Sequence, residues 1–224
     1  MPTYEDLGFG QGAALSGDRA RTVFGHVMGL VAVTMVFAAL GAYIARDLDR
    51  GGFVFIILAF ADMFALNFAV ARGREQLAVG LLFLLGLLLG MFVSPVIVFY
   101  AKTDPGVVYQ AAGATALFVA LLGTIGYTTR KDLAPYMKFV FIAFIAVFVF
   151  GLIALFVAIP ASNVIYCVLM LAIFGFFTAF DFQRLARNPS YQSAPLIAAN
   201  IFLDIFNVFL LLLSLFGGGG SSRR

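Results

Sequence analysis

The sequence has no tryptophan, one histidine and one cysteine, and few of its residues are charged. Because Cys167 is the lone cysteine, an internal disulfide is excluded, and its apolar surroundings indicate a small packing residue. One histidine and one cysteine are also too few for a zinc site or a metalloprotease. Charged residues make up 11% of the chain, whereas a soluble domain carries about 25%. We therefore expect lipid to be the main solvent of this protein.

Long apolar runs make up most of the chain. Hydrophobic residues make up 63% of the 224 positions, and the mean hydropathy is +1.06. A membrane-spanning helix needs about 20 mainly apolar residues. Cutting the chain at its charged and turn-rich clusters gives seven such runs, at residues 23–45, 53–71, 77–100, 107–128, 138–159, 163–184 and 195–216. Because the connections are short, consecutive helices are expected to be antiparallel neighbours in one bundle.

The sequence thus predicts an all-α membrane protein whose seven transmembrane helices form one domain, residues 23–216. A cytoplasmic segment, residues 1–22, precedes this domain, and a flexible tail, residues 217–224, follows it. The first twenty residues lack the basic start and apolar core of a secretory signal, so the first span is expected to direct insertion itself.

The basic residues predict an orientation in the membrane. With the N-terminus inside, the inner side receives nine of the 14 lysines and arginines. The outer side keeps the other five, Arg46, Arg50, Lys102, Arg223 and Arg224. This asymmetry predicts a cytoplasmic N-terminus and an outside C-terminus. No basic cluster is dense enough to indicate nucleic acid as a partner, so membrane lipid is the partner expected from composition.

Three acids, Asp62, Asp181 and Asp204, lie inside predicted spans. An acid at the middle of the bilayer costs about 2.5 to 3.5 kcal/mol on insertion scales. Three unpaired acids would therefore cost a large part of the stability of an ordinary domain, about 5 to 15 kcal/mol. They are expected to be paired, protonated or in contact with water.

Asp181 and Asp204 are predicted to lie at similar depth. They belong to consecutive helices, and their distances from the connecting turn place them within about one or two helical turns of each other. Asn200, Asp204 and Asn207 recur at i, i+4 and i+7, so they share one face of the last helix. This polar face is the predicted working surface of an otherwise apolar helix.

Two carboxylates in a low-dielectric place do not ionise together easily, and they tend to share one proton. The Asp181 and Asp204 pair is therefore predicted to act as a pH sensor. When both acids ionise, carboxylate and amide oxygens suit a hard cation such as calcium, although so few ligands give only a weak metal site. Weak binding favours ion passage over storage.

Two arginines at the end of the second helix, Arg72 and Arg74, are candidates to bind the carboxylate of Asp181. An ordinary positive flank explains each arginine equally well. Asp62 lies near the middle of the same helix. It is expected either to line an ion path with Asn200 and Asn207 or to form a helix–helix hydrogen bond.

Two glycine pairs have the small-xxx-small spacing that lets helices approach closely. These pairs are Gly25 with Gly29 in the first helix and Gly86 with Gly90 in the third. We interpret both as packing sites of the bundle.

Three motifs, "FDFQRL", "LDIFNVFLLLLSLFG" and "LGTIGYTTRKDL", resemble those of the Bax inhibitor-1 family of transmembrane proteins. The resemblance covers essentially the whole chain. It implies six helices wrapped in two layers around a central C-terminal seventh helix. It also implies a pH-sensitive calcium leak channel gated by an aspartate pair, here Asp181 and Asp204. The arginine that engages the first aspartate should come from the end of helix two, and Arg74 fits that position better than Arg72.

Three functions remain open at this level. The first is the calcium leak, with protons as regulators and no cofactor. The second is a proton-coupled cation transporter or antiporter, and the third is a membrane scaffold without transport. No nucleophile with a base and no cofactor loop is present, so an enzyme is not expected. The use of arginine over lysine indicates a bacterial source, and hence the inner (plasma) membrane.

Overall fold

The computed structural model describes residues 9–48, 52–154, 156–157, 161–187 and 193–218, with side chains from Arg21 onward in the first helix. All of its regular elements are helical. The α-helices are α1 (Phe9–Ile44), α2 (Gly52–Ala71), α3 (Glu75–Thr103), α4 (Pro105–Thr128), α5 (Met137–Ala154), α6 (Ser162–Arg187) and α7 (Ala194–Gly218). A short 3-10 helix, Ala134–Tyr136, precedes α5. All seven α-helices are long and apolar enough to span a membrane.

The predicted seven helices are confirmed, with differences at their ends. The first helix begins at Phe9, well before the predicted start, although its apolar span begins only at Arg21. The fifth ends at Ala154, and residues 155, 158 and 159 of its predicted run lie outside the described residues. The last continues through Gly218. Most of the predicted tail lies outside the described residues, as do the side chain of Arg19 and the predicted outer arginines Arg50, Arg223 and Arg224.

Local chemistry sets the turns between helices. Gly73 adopts φ of 68°, a left-handed conformation that favours glycine. Its N–H donates to Val70, and the N–H of Arg74 donates to the carbonyl oxygen of Ala69, which ends α2. Asp104 caps α4 by accepting the N–H of Gly106 at 3.1 Å, with Pro105 in the first turn.

α7 lies at the centre of the bundle. It contacts α1, α2, α3, α4 and α6, and it is the most buried of the seven spans. On one side α3 packs against α1 and α2, and on the other α6 packs against α4 and α5. The central position of α7 is as expected, and the arrangement of the other six helices in two layers stays a prediction.

Glycines bring α1 and α3 into backbone contact. A Cβ added at Gly86 would lie 2.6 Å from the carbonyl oxygen of Thr34, and one at Gly90 would overlap the backbone of Ala38. The packing prediction is therefore confirmed for α3. It is wrong for Gly25 and Gly29, because nothing within the described residues lies within 4 Å of a Cβ at either position.

One end of the bundle carries six of the ten basic side chains that the structure describes, and we call it the basic end. It comprises the α2–α3 turn, the α4–α5 loop and the last turn of α6. The basic side chains there are Arg72, Arg74, Arg130, Lys131, Arg184 and Arg187. The sequence predicts that this end faces the cytoplasm, and that orientation stays a prediction.

Candidate functional site

The structure brings Asp181 and Asp204 together. Asp181 lies near the end of α6, Asp204 lies in α7, and these two helices pack against each other. Their side chains are 7% and 5% exposed. The two carboxyl groups lie near enough for the charge of Asp181 to act on Asp204. The site therefore holds two buried carboxyl groups on neighbouring helices, close enough to repel each other when both are ionised.

Thr178 belongs to this site, although the sequence analysis did not single it out. Its hydroxyl group lies within hydrogen-bonding reach of the Asp204 carboxyl group and also donates to the carbonyl oxygen of Phe174 at 2.8 Å. A hydroxyl group has one proton to donate, so it serves either the carbonyl oxygen or an ionised Asp204. The sequence feature that could have identified Thr178 is its position three residues before Asp181, which places both residues on the same face of α6.

The arginine nearest the pair is Arg184. It follows Asp181 by three residues on one face of α6, and its charge acts on the Asp181 carboxyl group. The sequence analysis placed Arg72 or Arg74 there. In the structure the side chains of Arg72 and Arg74 are both exposed. They lie on either side of Gly73, where α2 ends. The Arg72 guanidinium lies 4.2 Å from the ring centroid of Phe68. Engagement of Asp181 by either of them stays a prediction.

The two aspartates line a cavity of about 630 Å³ among α2, α3, α5, α6 and α7. Along α6 its walls extend from Tyr166 to Arg184, a length of about 27 Å at 1.5 Å per residue. A second cavity, of about 340 Å³, shares Phe148 and Tyr166 with it and extends to Ser162 and Asn163. Together the two cavities cover most of the length of α6.

Asn200 and Asn207 line the same cavity, so the predicted polar face of α7 faces open space. The amide nitrogen of Asn207 donates to the carbonyl oxygen of Leu203 at 2.7 Å. This bond leaves the amide oxygen of Asn207 available as an acceptor. The cavity therefore combines two carboxyl groups with amide oxygens along one helix.

Asp62 is not among the residues that line this cavity, although Ala59 and Met63 on the same helix are. It lies on the buried face of α2 with Ala59, Leu66 and Ala69, and α2 packs mainly against α3. Within the described part of the chain, neither of its carboxyl oxygens has a hydrogen-bond partner. The structure thus does not bring Asp62 to the pair, and its role in an ion path stays a prediction.

The small number of oxygen ligands in the cavity limits how tightly it can bind a cation. Among the described residues, no group of three or more His, Cys, Asp or Glu side chains is placed to hold a metal ion. Calcium takes six to eight oxygen ligands, so two carboxylates with amide oxygens make an incomplete shell that water must finish. Weak calcium binding by Asp181 and Asp204 stays a prediction.

Comparison with known proteins identifies one family and several bacterial relatives. A sequence model described as "Inhibitor of apoptosis-promoting Bax1" matches residues 20–221. A protein of Helicobacter pylori strain 26695 is 29% identical over 198 residues, which cover 88% of this chain and 85% of the relative. A Chlamydia muridarum protein is 26% identical over 97% of this chain and 98% of its own length. A membrane protein of Streptococcus pyogenes serotype M3 is 31% identical over 66% of each chain. This chain therefore belongs to the Bax inhibitor-1 family of multi-pass membrane proteins.

Proposed function

We propose that the protein is a pH-sensitive calcium leak channel, gated by protonation of Asp181 and Asp204. The observation that carries the proposal is the position of the two linked carboxyl groups, on the wall of one cavity between the central helix and α6. Acids inside a membrane protein mark ion and proton pathways, because their burial is costly without such a use. The proposed activity is passive flux and involves no catalytic group or cofactor.

The dimensions of the cavity support a path. Its length along α6, about 27 Å, compares with about 30 Å for the hydrocarbon core of a bilayer. The adjoining cavity at Ser162 and Asn163 extends the open space toward the end opposite the basic end. We place the basic end at the cytoplasm of a bacterial cell, so that the path crosses the plasma membrane.

The gate follows from charge balance at the pair. Arg184 lies on the same helix as Asp181 and compensates its charge when that acid is ionised. While the two acids share one proton, the protonated acid donates a hydrogen bond to the ionised one and holds α6 against α7. Protonation of the second acid removes this ionised acceptor and frees the Thr178 hydroxyl group from Asp204. The contact between α6 and α7 then loosens, and α7, which touches five other helices, shifts. Protonation therefore opens the path.

Calcium fits the oxygen atoms along the path. Asn200, Asn207 and the two aspartates offer carboxylate and amide oxygens, which hard cations prefer. Because the shell is incomplete, the ion keeps part of its water and leaves readily, as conduction requires.

The test is calcium entry into proteoliposomes that contain the purified protein, at pH 6 and pH 8. We expect faster entry at pH 6. Asp181→Asn and Asp204→Asn mimic the protonated acids, so each variant is expected to lose most of this pH dependence. Glu75→Gln is the matched control, because Glu75 is exposed at the start of α3, and its leak should follow that of the unmodified protein.

Three results would contradict the proposal. An Asp204→Asn variant with an unchanged pH profile would remove the pair from the gate. Flux that saturates and responds to an opposing proton gradient would instead indicate a coupled transporter or antiporter. The absence of a leak at both pH values would favour a scaffold, in which the intramembrane acids only hold helices together.

A further inference from the structure

The walls of the aspartate cavity are unusually aromatic for an ion path. Nine of its lining residues are phenylalanine or tyrosine. Three of them form a rigid cluster, with ring centroids 6.0 Å apart for Phe144 and Phe174, 6.0 Å for Phe144 and Phe177, and 5.9 Å for Phe174 and Phe177. Aromatic faces attract cations that have shed their water, and they pack against apolar groups. Such walls also suit an organic cation that has an apolar or aromatic body.

One buried oxygen atom in this cavity has no partner. Asp204 is 5% exposed, and its Oδ2 atom accepts no hydrogen bond within the described residues. A buried carboxylate left unpaired is costly, so a positive charge supplied by a ligand would be stabilising. Asp204, which carries this unpaired oxygen atom, also lines the aromatic cavity.

The charge count favours a ligand with a single positive charge. The described charged residues that line the cavity are Asp181, Asp204 and Arg184. A cation bound at the pair favours the ionised form of both acids, because an opposite charge nearby stabilises a carboxylate. The three side chains then carry one net negative charge, and a monovalent cation brings it to zero. The lining residues of α2, α3 and α5 are uncharged, and Asp62 lies outside the lining set.

Two residues that line the cavity are exposed on the outer surface of the bundle, near the middle of their spans. Phe60 on α2 is 64% exposed and Phe148 on α5 is 44% exposed, and both line the cavity in the central part of their helices. A ligand that enters there comes from the hydrocarbon region and must itself dissolve in lipid. This requirement selects an apolar or aromatic body around the charge.

We propose that this cavity binds a lipid-soluble organic cation that carries one positive charge and an apolar or aromatic body. The positive charge lies at Asp204, and the body packs against the phenylalanine rings. A volume of about 630 Å³ is within the range of about 300 to 1,000 Å³ that small-molecule sites occupy. Binding of this ligand does not require that the protein conduct calcium.

The test uses radiolabelled tetraphenylphosphonium, an aromatic cation whose charge does not change with pH. Equilibrium binding is measured with the full chain purified in detergent, beside triphenylphosphine oxide, a neutral analogue. We expect saturable binding of the cation and none of the neutral probe. Asp204→Asn should weaken binding by at least about tenfold. Glu75→Gln, which lies outside the cavity, should bind as the unmodified protein does.

A second variant keeps the test decisive if Asp204→Asn fails to fold. Phe60→Ala removes an exposed ring at the opening of the cavity and should weaken binding several-fold. The proposal is overturned if the cation does not bind saturably, if the neutral probe binds equally, or if both variants bind as tightly as the unmodified protein. Cation binding without a calcium leak would support this proposal and remove the proposed leak, and a leak without cation binding would do the reverse.

Discussion

Gln183 accepts a hydrogen bond from the backbone N–H of Leu133 at 2.9 Å, so the end of α6 holds the loop between α4 and α5. The same side chain donates to the carbonyl oxygens of Thr129 at 3.3 Å and Lys131 at 2.7 Å. Gln183 is 3% exposed and follows Asp181 by two residues. One turn of α6 therefore supplies both a carboxyl group of the proposed gate and the anchor of a loop at the basic end.

Replacement of this anchor should destabilise the protein. Gln183→Leu removes three hydrogen bonds, each with a net contribution of about 0.5 to 1.5 kcal/mol, so we expect the free energy of unfolding to fall by about 2 to 4 kcal/mol. The measurement is the thermal midpoint in detergent. Gln110→Leu, at an exposed position of α4, is the matched control and should change it little. Equal midpoints for the two variants would show that the loop does not depend on Gln183.

The contact between α1 and α3 should tolerate no added methyl group at Gly90. Gly90→Ala places a Cβ atom against the backbone of Ala38, which cannot rotate away, and overpacking of this kind costs about 1 to 3 kcal/mol. Gly29→Ala has open space around it and should leave stability unchanged or raise it by at most about 1 kcal/mol. Thermal midpoints of the two variants give the comparison, and equal values would contradict the tight α1–α3 contact.

Asp62 should be dispensable for folding. Both of its carboxyl oxygens lack partners among the described residues, so Asp62→Leu removes a buried polar group without leaving another unpaired. We expect the free energy of unfolding to rise by about 1 to 3 kcal/mol. The calcium leak of the same variant should be unchanged, because Asp62 does not line the cavity. A lower thermal midpoint or an altered leak would each show that Asp62 interacts with a group or an ion not seen here.

Thr178 should tune the pH response of the leak. Thr178→Val keeps the shape of the side chain but removes the hydroxyl group that lies near Asp204. The ionised carboxylate loses a hydrogen-bond donor, so protonation becomes easier and the pH of half-maximal leak should move upward. The readout is the pH profile of calcium entry, with Thr178→Ser as the variant that restores it. A Val profile identical to that of the unmodified protein would exclude a role for the hydroxyl group.

Much of the fold follows from the sequence, because lipid imposes simple conditions on it. Apolar runs of about 20 residues must form helices that satisfy their own backbone, and this condition explains why all seven spans were predicted. Helix ends were less predictable. The first helix continues toward the N-terminus through polar residues to Phe9, and α7 includes Gly217 and Gly218. Hydropathy does not detect helical residues beyond the apolar run.

The site was predictable only in part. Helical periodicity places Asn200, Asp204 and Asn207 on one face, and hairpin geometry places Asp181 at a similar depth. The same periodicity places Arg184 on one face of α6 with Asp181, whereas the distance of Arg72 and Arg74 from the pair depends on how α2 packs in the bundle and was not predictable. For the same reason the close packing of Gly86 and Gly90, and its absence at Gly25 and Gly29, required the structure.

The sequence by itself determined the solvent of this protein, the number of its helices and the presence of acids within them, since these properties depend on local composition and chain length. Only the tertiary structure decided which acids meet. Asp181 and Asp204 line one aromatic cavity, whereas Asp62 is buried in α2 and is not among the lining residues. The physical reason is that the rotation of each helix about its axis is set by packing against its neighbours, and that rotation decides whether a carboxyl group faces a cavity or another helix.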